Sequence, residues 1–376
     1  MTRTLLSLAA LLWHAAAAAM PSSEQIDAEV RRAMAAKGVL GLAVAVVDNG
    51  RVTHAQAYGQ RNARGEPLLP DTILYGASLT KAVFAYTVLQ LADEGRINLD
   101  ARIEQLLPQP LTSYPNDRRY APWHTLAGDE RWRQLTPRIL LSHRAGFANF
   151  AFMEPDGKLR IHFEPGSRYA YSGEGFILLQ FVLERGLGLD VGQEMQRRVF
   201  DRFGMRNTSM TWRADFARNL ADGFTATGAV EPHDERSKVR AAGSMDTTIE
   251  DFARFSAAFA RGEGLSAASR AEMTRAQWPI GSKHQFPSLA PERLPFLRRA
   301  DLAAGLGVVV FNGPQGPAFF KGGHNDSTGN TWVCVEGRRS CVVLMANDVR
   351  AEALFPSLVA FILGETGAPW DWEYGR

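Results

Sequence analysis

Lysine is scarce in this chain, with six residues against 36 arginines in a total of 376. Both side chains are cations, but only the ammonium releases its proton at ordinary pH, so a lysine kept in an arginine-rich chain points to proton transfer or to a solvated surface position. Other absences exclude whole classes of function. No two of the eight histidines stand close enough in sequence to form a local ligand pair, so no metal is expected. No G-x-G-x-x-G run is present to hold a dinucleotide, no other cofactor is expected, and neither Ser78 nor Ser172 sits in a G-x-S-x-G elbow. A formal net charge of only +2, without a dense basic run, argues against nucleic acid or a stable membrane partner.

With 45% hydrophobic and 22% charged residues, the chain has material for a well-buried core. Its N-terminus reads as an address: "MTR", then the apolar "TLLSLAALLWHAAAAA", then the small residues Ala17, Ala18 and Ala19 before Met20 and Pro21. Residues 1–19 are therefore expected to be a cleaved signal peptide, and the mature protein periplasmic or secreted. Export permits a disulfide. The only two cysteines lie in "TWVCVEGRRSCVVLMAND". A two-residue turn at Gly337 and Arg338 would set Cys334 opposite Cys341 as a widely spaced, hydrogen-bonded pair, either bridged or as two buried thiols.

Apolar spacing predicts a helix over 23–38, followed by a hairpin of two strands around Asn49-Gly50. A second helix is expected from Ser78 to Asp93, with an apolar stripe through Ala82, Ala85, Tyr86, Leu89 and Ala92. Further helices are expected at Pro137 to Leu141, Gly173 to Arg185, Val191 to Phe203 and Ile249 to Ala260. Two irregular stretches, 106–136 and one beginning at Ala276, have the length of lids or binding elements. Strand-like sequence returns in "LGVVVF", "TWVCV" and "CVVLMAN", ahead of a last helix over 351–363. Strands at both ends and helices between predict an α/β (α+β) fold, with an antiparallel sheet built from both chain ends. In a single unit over 20–376, residues 20–75 and 245–376 would form the sheet part and 76–244 an inserted, mainly helical part.

Ser78 and Lys81, in "YGASLTKAVFAY", would share one side of the second helix's first turn. A serine there has the positive end of the helix dipole beneath it and a free backbone N–H. Two further elements are Tyr171-Ser-Gly, just ahead of a helical run, and Lys321-Gly-Gly, beside a predicted strand. In this order they resemble the serine β-lactamase and penicillin-binding-protein superfamily, with its S-x-x-K, second motif and K-T-G. The class C β-lactamase branch, which also holds DD-peptidases, D-aminopeptidases and esterases, is the nearest likeness. "PRILLSHRAGF", "FEPGSRYAYS" and "AAGSMDTTIEDFARF" are similar to segments of that branch as well.

The resemblance implies a β-lactamase/transpeptidase-like fold and a serine hydrolase acting through an acyl-enzyme. Ser78 would be the nucleophile, with Lys81 or Tyr171 as its base and Lys321 keeping the network positive. Backbone N–H groups of Ser78 and His324 would form the oxyanion hole, and Gly173, Glu174, Gly322 and Gly323 would contact substrate. The second motif ends in Gly173 where the family commonly has asparagine, and the third reads Lys-Gly-Gly, without the hydroxyl of K-T-G. These departures weigh against efficient β-lactam hydrolysis and leave D-alanyl peptides, β-lactams and small esters or amides open as substrates. A non-catalytic sensor of cell-wall peptides is the reading from another class. The partner is in either case a small molecule or peptide with a reactive carbonyl, and the oligomeric state is left open.

Overall fold

The computed structural model describes residues 20–292 and 301–375. The expected signal segment lies outside them, as do residues 293–296 of the second irregular stretch. Helix α1 (Ser23–Lys37) opens with a capping box between Ser22 and Gln25 and ends at Gly38 in the left-handed conformation. The hairpin follows as β1 (Gly41–Asp48) and β2 (Arg51–Gly59), turned by Asn49 and Gly50, both at positive φ.

The remaining strands of the main sheet are β3 (Trp278–Pro279), β4 (Ala303–Ala304), β5 (Val309–Gly313), β6 (Gly316–His324), β7 (Gly329–Val335) and β8 (Ser340–Ala346). They form one antiparallel sheet in the order β2-β1-β8-β7-β6-β5-β4-β3. The N-terminal hairpin thus docks on the last strand, and the two chain ends share a sheet. Every residue of β1 up to Val47 is buried, because the sheet is covered on both faces. Ala43, Ala45 and Val47 enter the core shared with the helical part, while Leu42, Val44 and Val46 enter a second core beneath α1 and the C-terminal helices α4 (Phe355–Leu363) and α5 (Trp370–Tyr374).

Three details depart from expectation. Helix α2 (Leu79–Asp93) is buried all round from Leu79 to Leu91 rather than along one stripe, because it runs between the sheet and the helical part. The stretch 106–136 forms no wall of the cleft described below. It is a run of short 3-10 turns whose Tyr114, Tyr120 and Trp123 pack on Phe181, so its aromatics close the core. The last hairpin has a four-residue connection, Glu336 to Arg339, instead of two. Moving the closing pair to Val335 and Ser340 inverts the alternation of ladder bonds, so Cys334 and Cys341 form a narrow pair, 4.1 Å between Cα atoms, and are bridged.

Candidate active site

The chain reaches Ser78 through a turn in which Ala77 takes a positive φ of 45°, a costly conformation for a residue with a Cβ. Ser78 is the N-cap of α2, yet its hydroxyl makes no capping hydrogen bond. The oxygen that would ordinarily serve the helix end is free for other partners. It receives two: Lys81 Nζ at 2.9 Å and the Tyr171 hydroxyl at 2.8 Å.

Lys81 is 1% exposed, and its ammonium nitrogen also donates to the Ala242 carbonyl. No carboxylate pairs with it among the described residues. Burial therefore pushes its pKa well below the ordinary lysine value, and the charge of Lys321 adds to the effect. Tyr171 lies in the extended segment leading to α3 (Gly173–Gly186), whose cap is Ser172. Burial raises the pKa of its phenol despite the hydrogen bond to Ser78. The two groups thus diverge: the amine is driven toward neutrality, the phenol is held protonated. Behind Tyr171 the His143 ring stacks at 4.3 Å between centroids, and its Nδ1 accepts from the Ser172 N–H at 3.1 Å. Burial, with Lys81 and Lys321 nearby, holds His143 neutral, so it positions Tyr171 without adding charge.

Lys321 comes from β6. Its Nζ donates to the Gly322 carbonyl at 2.7 Å and lies 3.5 Å from the Tyr171 hydroxyl. Burial lowers its pKa to about 8, with Glu373 opposing the shift. The ladder between β5 and β6 ends at Phe320, so 321–324 run on without a paired strand on that side among the described residues. Because Cys334 is narrowly paired with Cys341, its ladder bonds turn to Phe319 across β7 and β6; of the alternate residues, Phe320 faces β5 opposite Val309, while Gly322 and His324 face the side beyond the end of that ladder. A Cβ on Gly323 would fall 2.9 Å from the Ser78 nitrogen, so only glycine lets β6 pass this close to the start of α2. The start of α2 and the end of β6 are thereby brought together, with Ser78 and His324 lining the same cavity. The His324 ring is engaged elsewhere, with Nδ1 3.0 Å from Glu352 Oε1.

Ser78, Lys81, Tyr171, Gly322, Gly323 and His324 line one cavity of about 850 Å³; Lys321 is not among its lining residues and touches the site through the Tyr171 hydroxyl. Gly173 and Glu174, expected on the substrate wall, are not among its lining residues. The Gly173 N–H donates to Asn149 Oδ1 at 2.9 Å, and a Cβ at 173 would meet the Phe150 ring at 2.5 Å. Glu174 is buried behind the same loop, where its Oε1 accepts from the Ala151 N–H at 2.8 Å and burial raises its pKa to about 7. Asn149, Phe150 and Phe152 form that part of the wall instead. Sequence reasoning missed them because no local spacing ties 149–152 to the second motif; the available signal was their place directly after "LLSHRAGF". It also missed Ala242, Gln285, Phe286 and Glu373, which reach the cavity only through tertiary packing.

A model of the family described as Beta-lactamase matches residues 26–363. The chain is 25% identical over 230 residues to a lovastatin esterase of Penicillium rubens, covering 52% of this chain and 56% of that protein. It is 28% identical over 199 residues to a D-aminopeptidase of Gluconobacter oxydans, covering 51% and 36% respectively. The chain thus spans about half or less of the curated relatives it matches. Among solved structures, a class C beta-lactamase superposes with a TM-score of 0.72 at 16% identity, over 91% of this chain and 95% of that one. EstCE1, a hydrolase with promiscuous acyltransferase activity, superposes with a TM-score of 0.73 at 18% identity, over 91% and 98%. At these identities the likeness is one of fold.

Proposed function

Because the chain belongs to the Beta-lactamase family, we propose that it is an exported serine hydrolase that cleaves an ester or amide through a covalent acyl-enzyme on Ser78. The observation that carries this reading is the Ser78 hydroxyl held between a buried, uncompensated amine and a protonated phenol, at 2.9 Å and 2.8 Å. A serine hydroxyl is a weak nucleophile and needs an adjacent base. Neutral Lys81 takes the proton from Ser78 Oγ as the Oγ–carbon bond forms. The carbonyl oxygen becomes an oxyanion, received by the Ser78 and His324 N–H groups. As the tetrahedral species collapses, the leaving group departs with a proton from Tyr171, which is replenished from Lys81. Water then adds to the acyl group with Lys81 again as base, releasing the acid and restoring Ser78.

Ester cleavage is favoured over β-lactam or D-alanyl peptide hydrolysis. Gly173 presents no amide to substrate, Phe150 takes the space beside it, and esters need less protonation of the leaving group than amides. The name of the Penicillium esterase supports the same direction. Export is supported by the character of residues 1–19 and by the Cys334–Cys341 bridge, which suits an oxidising compartment. The test is labelling with a fluorophosphonate and, separately, a fluorescent penicillin, followed by mass mapping, alongside turnover of p-nitrophenyl acetate, a D-alanyl dipeptide and nitrocefin. Label on the Ser78 peptide, lost in Ser78→Ala, with the acetate ester turned over fastest, is the expected result. Label on another peptide refutes the assignment, and acylation without turnover of any substrate points to the sensor instead.

A further inference from the structure

Helix α5 brings into the cavity a carboxylate that the reaction above does not use. Glu373 is 6% exposed, lines the same cavity as Ser78, and has an Oε2 that is buried without a hydrogen-bond partner among the described residues. The helix is anchored by Trp372, whose ring packs 5.9 Å from Tyr169 and 6.2 Å from Phe320. The carboxylate is seated against the third motif: a Cβ on Gly322 would lie 2.0 Å from Glu373 Oε1. The position where K-T-G carries a hydroxyl able to bind a carboxylate is thus bare in this chain, and a carboxylate of the protein occupies the adjoining space.

The charges around it decide what such a group does. Burial raises the pKa of Glu373, Lys321 and His324 oppose the rise and so favour the carboxylate, Glu352 adds to it, and a hydrogen bond from Gln285 again favours the charged form. His324 is already matched by Glu352 at 3.0 Å. Lys321, the cation next to the third motif, is already faced by Glu373, while Arg236, Lys238 and Arg240 supply the cationic side chains that line the cavity itself. A second carboxylate placed here would be desolvated beside a like charge, which is costly in a low-dielectric site. A hydrogen-bond donor would find the empty acceptor on Oε2.

We propose that Glu373 is a specificity-determining residue that admits esters and amides carrying a hydrogen-bond donor beside the scissile bond and rejects those carrying a carboxylate there. This rests on the hydrolase reading for its reaction, and deepens it by naming a substrate class.

The experiment compares two isosteric thioesters of one acyl group, with mercaptoacetate or mercaptoacetamide as the leaving thiol, by release of thiol. The wild type is expected to prefer the carboxamide by at least about tenfold in kcat/KM, and Glu373→Gln to bring that ratio toward unity. Gly322→Ala, which displaces the carboxylate without removing it, gives an independent variant expected to move the ratio the same way. Binding of both thioesters to Ser78→Ala, with and without Glu373→Gln, reads the discrimination in the absence of turnover. Should neither thioester be hydrolysed while Ser78→Ala still binds the carboxamide preferentially through Glu373, the hydrolase reading falls and the inference stands. A ratio that is unchanged by both variants, or a wild type that prefers the carboxylate, overturns it.

Discussion

Lys81 and Lys321 crowd a single phenol ring, their Nζ atoms 5.0 Å and 5.1 Å from the Tyr171 centroid. Two ammonium groups in so small a buried space cannot both stay charged cheaply. The geometry resolves the conflict unequally: Lys321 has Glu373 to support its charge, whereas among the described residues Lys81 has only carbonyl and hydroxyl partners.

Lys81 is therefore expected to act as an amine rather than as a cation. Lys81→Arg imposes a fixed charge and removes the ability to lose a proton, so kcat/KM should fall by about 10²- to 10⁴-fold. Labelling of Ser78 by a fluorophosphonate should slow in parallel, with circular dichroism checking the fold. Retention of wild-type labelling in the arginine variant would remove Lys81 from the base role.

Lys321 sets the alkaline limit. It is protonated below a pKa of about 8, and raising the pH through that value removes the positive charge beside Tyr171 and Lys81. A pH profile of kcat/KM on a neutral ester should fall on its alkaline side with an apparent pKa near 8, and Lys321→Ala should show a low rate without that limb. A wild-type rate that climbs steadily to about pH 10 would contradict the need for this cation.

Glu174 ties stability to pH. Its pKa in the folded protein is raised from 4.5 to about 7 by burial, so the folded state holds the proton more tightly than the unfolded chain. The contribution is fully present below 4.5 and is lost as the pH rises through about 7. Relative to Glu174→Gln, the wild type should lose about 3 kcal/mol of unfolding free energy across that window. Denaturation curves of both proteins at the two ends of the window test this, and parallel curves would count against it.

Gly173 and Phe150 should behave as a pair. Asparagine at 173 would drive its Cβ to within 2.5 Å of the Phe150 ring. Gly173→Asn is expected to cost about 1–3 kcal/mol, and markedly less in a Phe150→Ala background. A double-mutant cycle by urea denaturation measures the difference, and an equal cost in both backgrounds would show that the ring is not the obstacle.

How much of this was legible before folding depends on the reach of each contact. The α1 helix, the Asn49-Gly50 hairpin and the pairing of Ser78 with Lys81 are local, so turn chemistry and helical spacing carry them. The failures are equally physical. The stretch 106–136 reads as a lid because its aromatics have no period, and only packing on Phe181 shows them to be core. Gly173 and Glu174 read as substrate contacts because they follow Tyr171 in sequence, yet the loop carrying Asn149 and Phe150 comes between them and the cavity.

The amino-acid sequence alone determined which chemistry is available: a serine at a helix start with a lysine one turn on, an arginine-rich background in which that lysine stands out, and a tyrosine and a second lysine in order behind them. Tertiary structure alone decided that Lys81 is buried with no carboxylate against it among the described residues, that β6 passes against the start of α2, and that Glu373 stands against Gly322. Those outcomes join residues separated by up to most of the chain, and they depend on how the sheet stacks between its two helical layers, which no local pattern encodes.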